Sequence, residues 1–330
     1  MCLLQNGALQ TKLITIPSSA YNHNSFKPKQ RIYMKRHAFL LPVILLIPFL
    51  SYTQKYSAKY ANKVLKGFCE FVPNGKALIE GDTASVQAFF MSKREITNID
   101  YLEFLADLKK NGEWEKYEIA KVDSAQWNSA FKNKNMQGMA STYHRHPAYE
   151  GFPVVNISKE AAELYCDWLS STYDMISDGQ LKLKFRIPTR AEYMRAARGD
   201  HHTNTYSWGY SLRNEKGELL ANFETYGDEL VGRDQSNALQ IMERQTSLRL
   251  NDGSTIVASA ESYNPNAFGF YNLNGNVAEM ISDGDYVVGG DWLSPGFDIR
   301  NESIKKYTGP HPTVGFRVVA SFIEEAPTKN

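Results

Sequence analysis

The sequence predicts a loop-rich globule that mixes a few helices with short β runs, and three observations carry this. Apolar residues make up 42% of the 330, enough to bury a full core as one large domain or as a domain with extensions. Aromatic side chains, 19 Tyr, 17 Phe and 5 Trp, are spread along the chain, which argues against disorder. Helical periodicity is confined to three places; elsewhere short β runs such as "VPNGKALIEG", "DYVVGGDW" and "TVGFRVVASF" are separated by stretches rich in Asn, Gly and Asp, with no internal repeat.

From the start, residues 1–33 are polar and aperiodic and read as a leader or a misassigned start upstream of Met34. Residues 34–54 have the layout of a secretory signal: Lys35 and Arg36, then an apolar run from Ala38 to Leu50. A helix of that run covers roughly 20 Å, short of a ~30 Å hydrocarbon core, so export is expected rather than a permanent membrane span. The expected location is the periplasm or the cell surface. No cysteine follows closely enough to accept a lipid, the nearest being Cys69. Residues 55–66 read as a linker.

The first helix is expected in "TNIDYLEFLADLKKNG", with Ile99, Leu102, Leu105 and Leu108 in line, Thr97 or Asn98 as cap and Gly112 as stop. The second begins at Ser158 and places Ala162, Tyr165, Cys166 and Leu169 on one face, which makes Cys166 a core thiol, although a disulfide with Cys69 stays open. The third, "IPTRAEYMRAARGD", has Thr189 and Glu192 at capping-box spacing and Gly199 as its close. The stretches 111–150 and 211–262 read as excursions from a core, and residues 322–330 as a polar tail. With 37 basic against 36 acidic residues, no global field favours a polyanion, so nucleic acid is not an expected partner.

Eight pieces in order carry a family resemblance: "FVPNGKALIEG", "FFMSKREITNIDYLEFL", "FPVVNISKEAAELYCDWLS", "FRIPTRAEYMRAARG", "YSWG", "NAFGFYNLNGNVAEMISD", "VVGGDW" and "VGFRVVAS". The chain resembles the formylglycine-generating enzyme family, the sulfatase-modifying factor domain, over residues 67–321. The resemblance implies a single α+β domain related to the C-type-lectin-like fold and poor in regular secondary structure.

It also implies a site. Enzymes of the family oxidise a client cysteine to formylglycine with two cysteines that hold copper, since soft sulfur ligands select Cu(I) and exchange with thiols. Counted from Gly289 and Gly290, those positions fall on Ser294 and Ile299, and the chain has no cysteine after Cys166. No copper is expected. The family's serine after the glycine pair is Asp291 here, and its aromatic pair is Ala278 and Met280. A residual cleft is expected from Asp291, Trp292, Ser294, Phe297, Asp298 and Ile299.

The histidine-held iron of another branch is not expected: His144, His146, His201, His202 and His311 offer no third ligand at recognisable spacing and read as surface loop residues. In "YNLNGNVAE" the resemblance implies a calcium site, with side-chain oxygens from Asn272 and Glu279 and backbone carbonyls from Gly275 and Val277. A second site would begin at Ala221 and Asn222, with Asp228 and Asp234 competing as its acid.

Two functions follow. One is a non-catalytic binding or scaffold protein of the cell envelope, with a protein or glycan partner; non-catalytic relatives of this kind occur in gliding-motility and type IX secretion assemblies. The other is an enzyme of altered chemistry, oxidation or hydrolysis, using Asp291, Ser294 or Asp298. Two carboxylates converging in a deep pocket would favour the enzyme, and an open groove lined by Trp292 and Phe297 would favour binding.

Overall fold

Two four-stranded sheets carry the fold: the first joins strands from distant parts of the chain, and the second is drawn from residues 278–315 alone. In the computed structural model the described residues are 59–131, 136–225, 230–233, 236, 239–242 and 256–323, and all belong to the unit Pro48–Asn330. Residues 1–58, which hold the expected leader, signal segment and first four residues of the linker, lie outside them, as do Asp228, Asp234 and most of the tail. The rest of the linker is corrected, since residues 59–65 are helical and bury Ala61 and Leu65 in the core. Among the described residues no helix is long and apolar enough to cross a membrane.

The strands in chain order are β1 (Cys69–Val72), β2 (Gly75–Ile79), β3 (Asp82–Val86), β4 (Phe89–Ser92), β5 (Leu183–Arg186), β6 (Leu230–Arg233), β7 (Leu239–Met242), β8 (Ala278–Met280), β9 (Tyr286–Val288), β10 (Ile304–Lys306), β11 (Val314–Gly315) and β12 (Val319–Phe322). The first sheet runs β1-β4-β12-β5, antiparallel throughout. Its central β4, "FFMS", is buried at every position, as a strand covered on both faces must be. The second sheet runs β10-β9-β8-β11, with β11 parallel to β8. Hairpins β2-β3 and β6-β7 stand apart.

All three expected helices form. Asn98–Lys110 starts at Thr97, whose side chain accepts from Asp100 N while the Asp100 carboxylate accepts from Thr97 N; this settles the cap in favour of Thr97. Its buried face is Tyr101, Phe104 and Leu108, whereas Ile99 and Leu102 are exposed. The aliphatic line read from the sequence is thus half right: Leu108 is buried and Leu105 packs against the core, but Ile99 and Leu102 face out. Aromatic rings bury more area, and Tyr165 packs on Tyr101 at 5.8 Å and on Phe104 at 5.6 Å, with Phe316 5.5 Å from Tyr165.

Lys159–Ile176 is capped by Ser158 and buries Ala162, Tyr165, Cys166 and Leu169 as expected. Arg190–Arg198 has the Thr189 and Glu192 capping box and ends on Gly199 at φ 57°. Cys69 and Cys166 are both free and buried, so the disulfide alternative falls.

The 111–150 stretch is more than an excursion. It carries the short helices Trp114–Ala120, Gln126–Ala130 and Gln137–Thr142, and its Trp127 and Tyr143 are fully buried in a cluster with Val155, Val257, Val277 and Trp292.

Candidate functional site

The loop from Gly289 to Asn301, between β9 and β10, wraps back on itself because its first two residues are glycines with positive φ. A Cβ at Gly289 would sit 2.6 Å from both Leu273 O and Tyr193 Oη, and one at Gly290 2.5 Å from Asp298 O. Downstream, Asp291 Oδ1 accepts from Leu293 N at 2.9 Å and Ser294 Oγ from Asp291 N at 3.1 Å, an Asx-type turn that satisfies its own backbone. Ser294 O accepts from Glu224 N at 2.9 Å. Asn274 then closes the loop, donating to Ile299 O at 2.8 Å and to Asn301 Oδ1 at 2.9 Å.

Over this loop lies a half-open cavity of about 500 Å³ lined by Asp291, Ser294, Asp298, Arg300, Glu302 and Lys305, among others. Three of the six residues expected in the cleft, Asp291, Ser294 and Asp298, therefore come together there. Two do not. Trp292 is buried in the Trp127 cluster, 5.6 Å from the Phe131 ring, and Ile299 is fully buried among Tyr206, Ala221 and Phe223. Large apolar side chains beside a turn gain more by entering the core than by lining a wet cleft. Phe297 is 66% exposed, with the Arg300 guanidinium 3.5 Å above its ring.

Arg300, Glu302 and Lys305 were not singled out from the sequence. The signal was the mixed charge run "RNESIKK" that begins at the end of the loop, which reads equally as a solvated surface.

The calcium expectation meets a different tenant. Glu279, 1% exposed, accepts from Arg317 Nε at 3.0 and 2.9 Å and from Nη2 at 2.7 Å, and Arg317 is itself 0% exposed. The carboxylate that would carry the charge for a divalent ion is thus closed by a guanidinium, and a second cation beside it would be repelled. Asn272 directs its amide N–H groups to Ser259 O and Ala260 O and toward Glu95 rather than leading a ligand shell. Gly275 and Val277 are buried in the same turn. Among the described residues, no group of three or more His, Cys, Asp or Glu could hold a metal. In this structure Glu279 of the expected calcium set Asn272, Gly275, Val277 and Glu279 is paired with Arg317, which sets the terms on which an ion could bind there.

Asn222 of the second expected site donates to Ile256 O and to Asn276 Oδ1, and so belongs to the same hydrogen-bonded network. Glu95 is its unforeseen member: 0% exposed, it accepts from Asn276 Nδ2 at 2.9 Å. Burial first, and the Glu279 charge in addition, push its carboxyl up to about 8 against the pull of Arg317. A glutamate beside Arg94 reads from sequence as surface, which is why it was missed.

His144 is also corrected. It is buried, with Nδ1 3.1 Å from Asn98 Oδ1, and burial lowers it to about 3. His146 and His201 are exposed as expected, and His311 is half-buried against Thr313.

A mixed α+β domain, poor in regular structure and organised around a glycine-pair loop beneath an open polar cleft, defines the class. The chain belongs to the sulfatase-modifying factor family: residues 64–322 match the sulfatase-modifying factor enzyme 1-like domain. It is 24% identical over 216 residues to the formylglycine-generating enzyme of Mus musculus, covering 60% of this chain and 50% of that one. It is 26% identical over 216 residues to the inactive C-alpha-formylglycine-generating enzyme 2 of Bos taurus, covering 60% of each. The chain thus spans about half the length of the curated relatives it matches. The structure of PvdO from Pseudomonas aeruginosa shares the fold, with a TM-score of 0.50 at 19% identity, over 76% of this chain and 93% of that one.

Proposed function

We propose that this chain is a non-catalytic, exported binding protein that keeps the family's shell and offers its cleft to a partner in the cell envelope. One observation carries the reading. At the two positions that the resemblance assigns to copper-holding thiols, Ser294 has its hydroxyl hydrogen-bonded to Asp291 N, and Ile299 is wholly inside the packed core. Neither supplies a soft, ionisable ligand. Cys69 and Cys166 are no substitute, because burial pushes both thiols far above the usual range.

The relative in Bos taurus whose name describes it as inactive supports the same reading. An enzyme of altered chemistry gains no comparable support, since the Asp291 carboxylate accepts from Leu293 N within its own turn. The setting in an assembly of the gliding-motility or type IX secretion kind is part of this proposal.

The test is direct. Full-length protein is loaded with Cu(I) and incubated aerobically with a cysteine-containing sulfatase peptide, and aldehyde is read by an aldehyde-reactive probe and by mass. The expected result is unmodified peptide, with the protein itself recovered from the envelope fraction. Aldehyde above the copper-only control, or recovery in the cytoplasm, would reverse the assignment.

A further inference from the structure

Three concavities are linked by shared lining residues, starting from the one over the Gly289–Asn301 loop. The 500 Å³ cavity over the loop is lined by Arg300 and Glu302, which also line a small cavity of about 120 Å³ together with Arg198, Thr203 and Thr205. Arg198 in turn lines a third cavity, of about 550 Å³, with His201, Asn204, Trp208 and Phe268.

The middle cavity is built. Arg198 is 7% exposed and held rigidly, donating through Nε to Asn204 O at 2.9 Å, through Nη1 to Leu78 O at 3.2 Å and through Nη2 to Glu302 Oε1 at 2.8 Å. A guanidinium has five N–H donors, so two are left by these three bonds. Arg300 is positioned through Nε on Phe297 O at 2.8 Å, which leaves its terminal nitrogens to face the cavity it lines. Two guanidiniums against the single carboxylate of Glu302 leave one positive charge, beside the Thr203 and Thr205 hydroxyls. A planar or tetrahedral oxyanion fits both the size and the donor set.

The flanks have another character. Trp208 is half-buried, carries the Tyr206 ring on one face at 5.3 Å and 9°, and lines the third cavity with Phe268. The first cavity is walled by hydroxyl, carboxylate and ammonium groups. An aromatic platform, polar walls and half-open depth suit hydroxylated rings better than peptide side chains, which need deeper apolar pockets.

We infer that Arg198 and Arg300 form an acid-group subsite at the centre of a groove that binds an acidic polysaccharide, with sugar rings in the two outer cavities and one stacked on Trp208. The chain's near-neutral charge offers no long-range attraction, so recognition rests on this pair. The inference deepens the binding-protein reading above and rests on it.

The test uses full-length protein, calorimetry, and four probes: polygalacturonate as carboxylated glycan, κ-carrageenan as sulfated glycan, neutral dextran and poly-glutamate. Binding to one or both acidic glycans is expected, and which one binds identifies the acid group. Dextran and poly-glutamate should show none. Arg300→Gln should weaken glycan binding by about tenfold or more, the loss of a charge-assisted contact. Trp208→Ala should weaken it comparably while leaving the melting temperature within a few degrees. Equal binding of dextran, preference for poly-glutamate, indifference to Arg300→Gln, or no glycan binding would overturn the inference. The aldehyde assay separates the two claims: no aldehyde and no glycan binding removes this ligand alone, whereas aldehyde formation removes the parent reading.

Discussion

Arg317 and Glu279 form a fully buried ion pair that ties the two sheets together. Arg317 follows β11 and precedes β12; its guanidinium meets Glu279 of β8 and also donates through Nη1 to Ser92 O of β4 at 2.9 Å and through Nη2 to Tyr271 O at 2.8 Å. Ser92 and Glu279 are both buried, so removing Arg317 takes a partner from groups that water does not readily reach. Removing one partner of a buried pair leaves an uncompensated charge, so Arg317→Met should cost about 3–5 kcal/mol in urea unfolding. Arg317→Met with Glu279→Leu should cost less than Arg317→Met alone. A double variant as unstable as the sum of the singles would mean that the pair adds nothing beyond separate packing.

The same pair governs the response to calcium. Because the guanidinium already neutralises Glu279, millimolar Ca²⁺ should leave the melting temperature unchanged. A rise that Glu279→Ala abolishes would show that the ion shares the carboxylate with Arg317, and would support the calcium site implied by the resemblance.

Glu95 makes stability fall with rising pH. Its folded value, about 8, lies above the ordinary 4.5 of an unfolded chain, so the fold holds the proton more tightly. The contribution is fully present below about pH 4.5 and is lost as pH rises through 8. Glu95→Gln keeps the acceptor for Asn276 Nδ2 and removes the titration. Denaturant midpoints from pH 5 to 9 should fall for the native protein and fall less for Glu95→Gln; parallel curves would place the pH dependence elsewhere.

His144 acts at the other end of the scale. Its Nε2 is buried without a hydrogen-bond partner, and its folded value of about 3 lies below the ordinary 6.5. Stability from the neutral ring is present above pH 6.5 and is lost as pH falls through 3. His144→Gln, which cannot charge, should move the acid-unfolding midpoint to lower pH, read by tryptophan fluorescence. An unmoved midpoint would assign acid unfolding to other groups.

Local signals were legible where one residue's chemistry decides the conformation. Thr189 with Glu192, Ser158 and Gly199 each fix a helix end within four residues of chain, and each was found where the sequence put it. What failed was assignment of side chains to inside or outside. Trp292, Ile299 and His144 sit in polar, loop-like sequence, yet partners far along the chain, Phe131, Tyr206 and Asn98, draw them into the core. The cleft was half legible for the same reason. Its floor comes from the loop quoted in the sequence, but Arg198 and Trp208 reach the groove from about a hundred residues upstream, by a route no period or spacing records.

Whether the site could be revived is the sharpest test of that packing. Ser294→Cys would place a thiol at the cavity wall, where the serine is half-buried. Ile299→Cys would place the second inside the cluster of Tyr206, Ala221 and Phe223, in surroundings like those that push Cys69 and Cys166 upward. That thiol should resist ionisation at neutral pH and leave a void costing about 1–2 kcal/mol. The double variant should therefore stay folded, react readily with a thiol reagent at position 294 alone, and form no aldehyde with Cu(I) and the sulfatase peptide. Copper held by both thiols, with aldehyde produced, would mean that the Ile299 pocket opens in solution and that two substitutions are all that separate this chain from the oxidising members of its family.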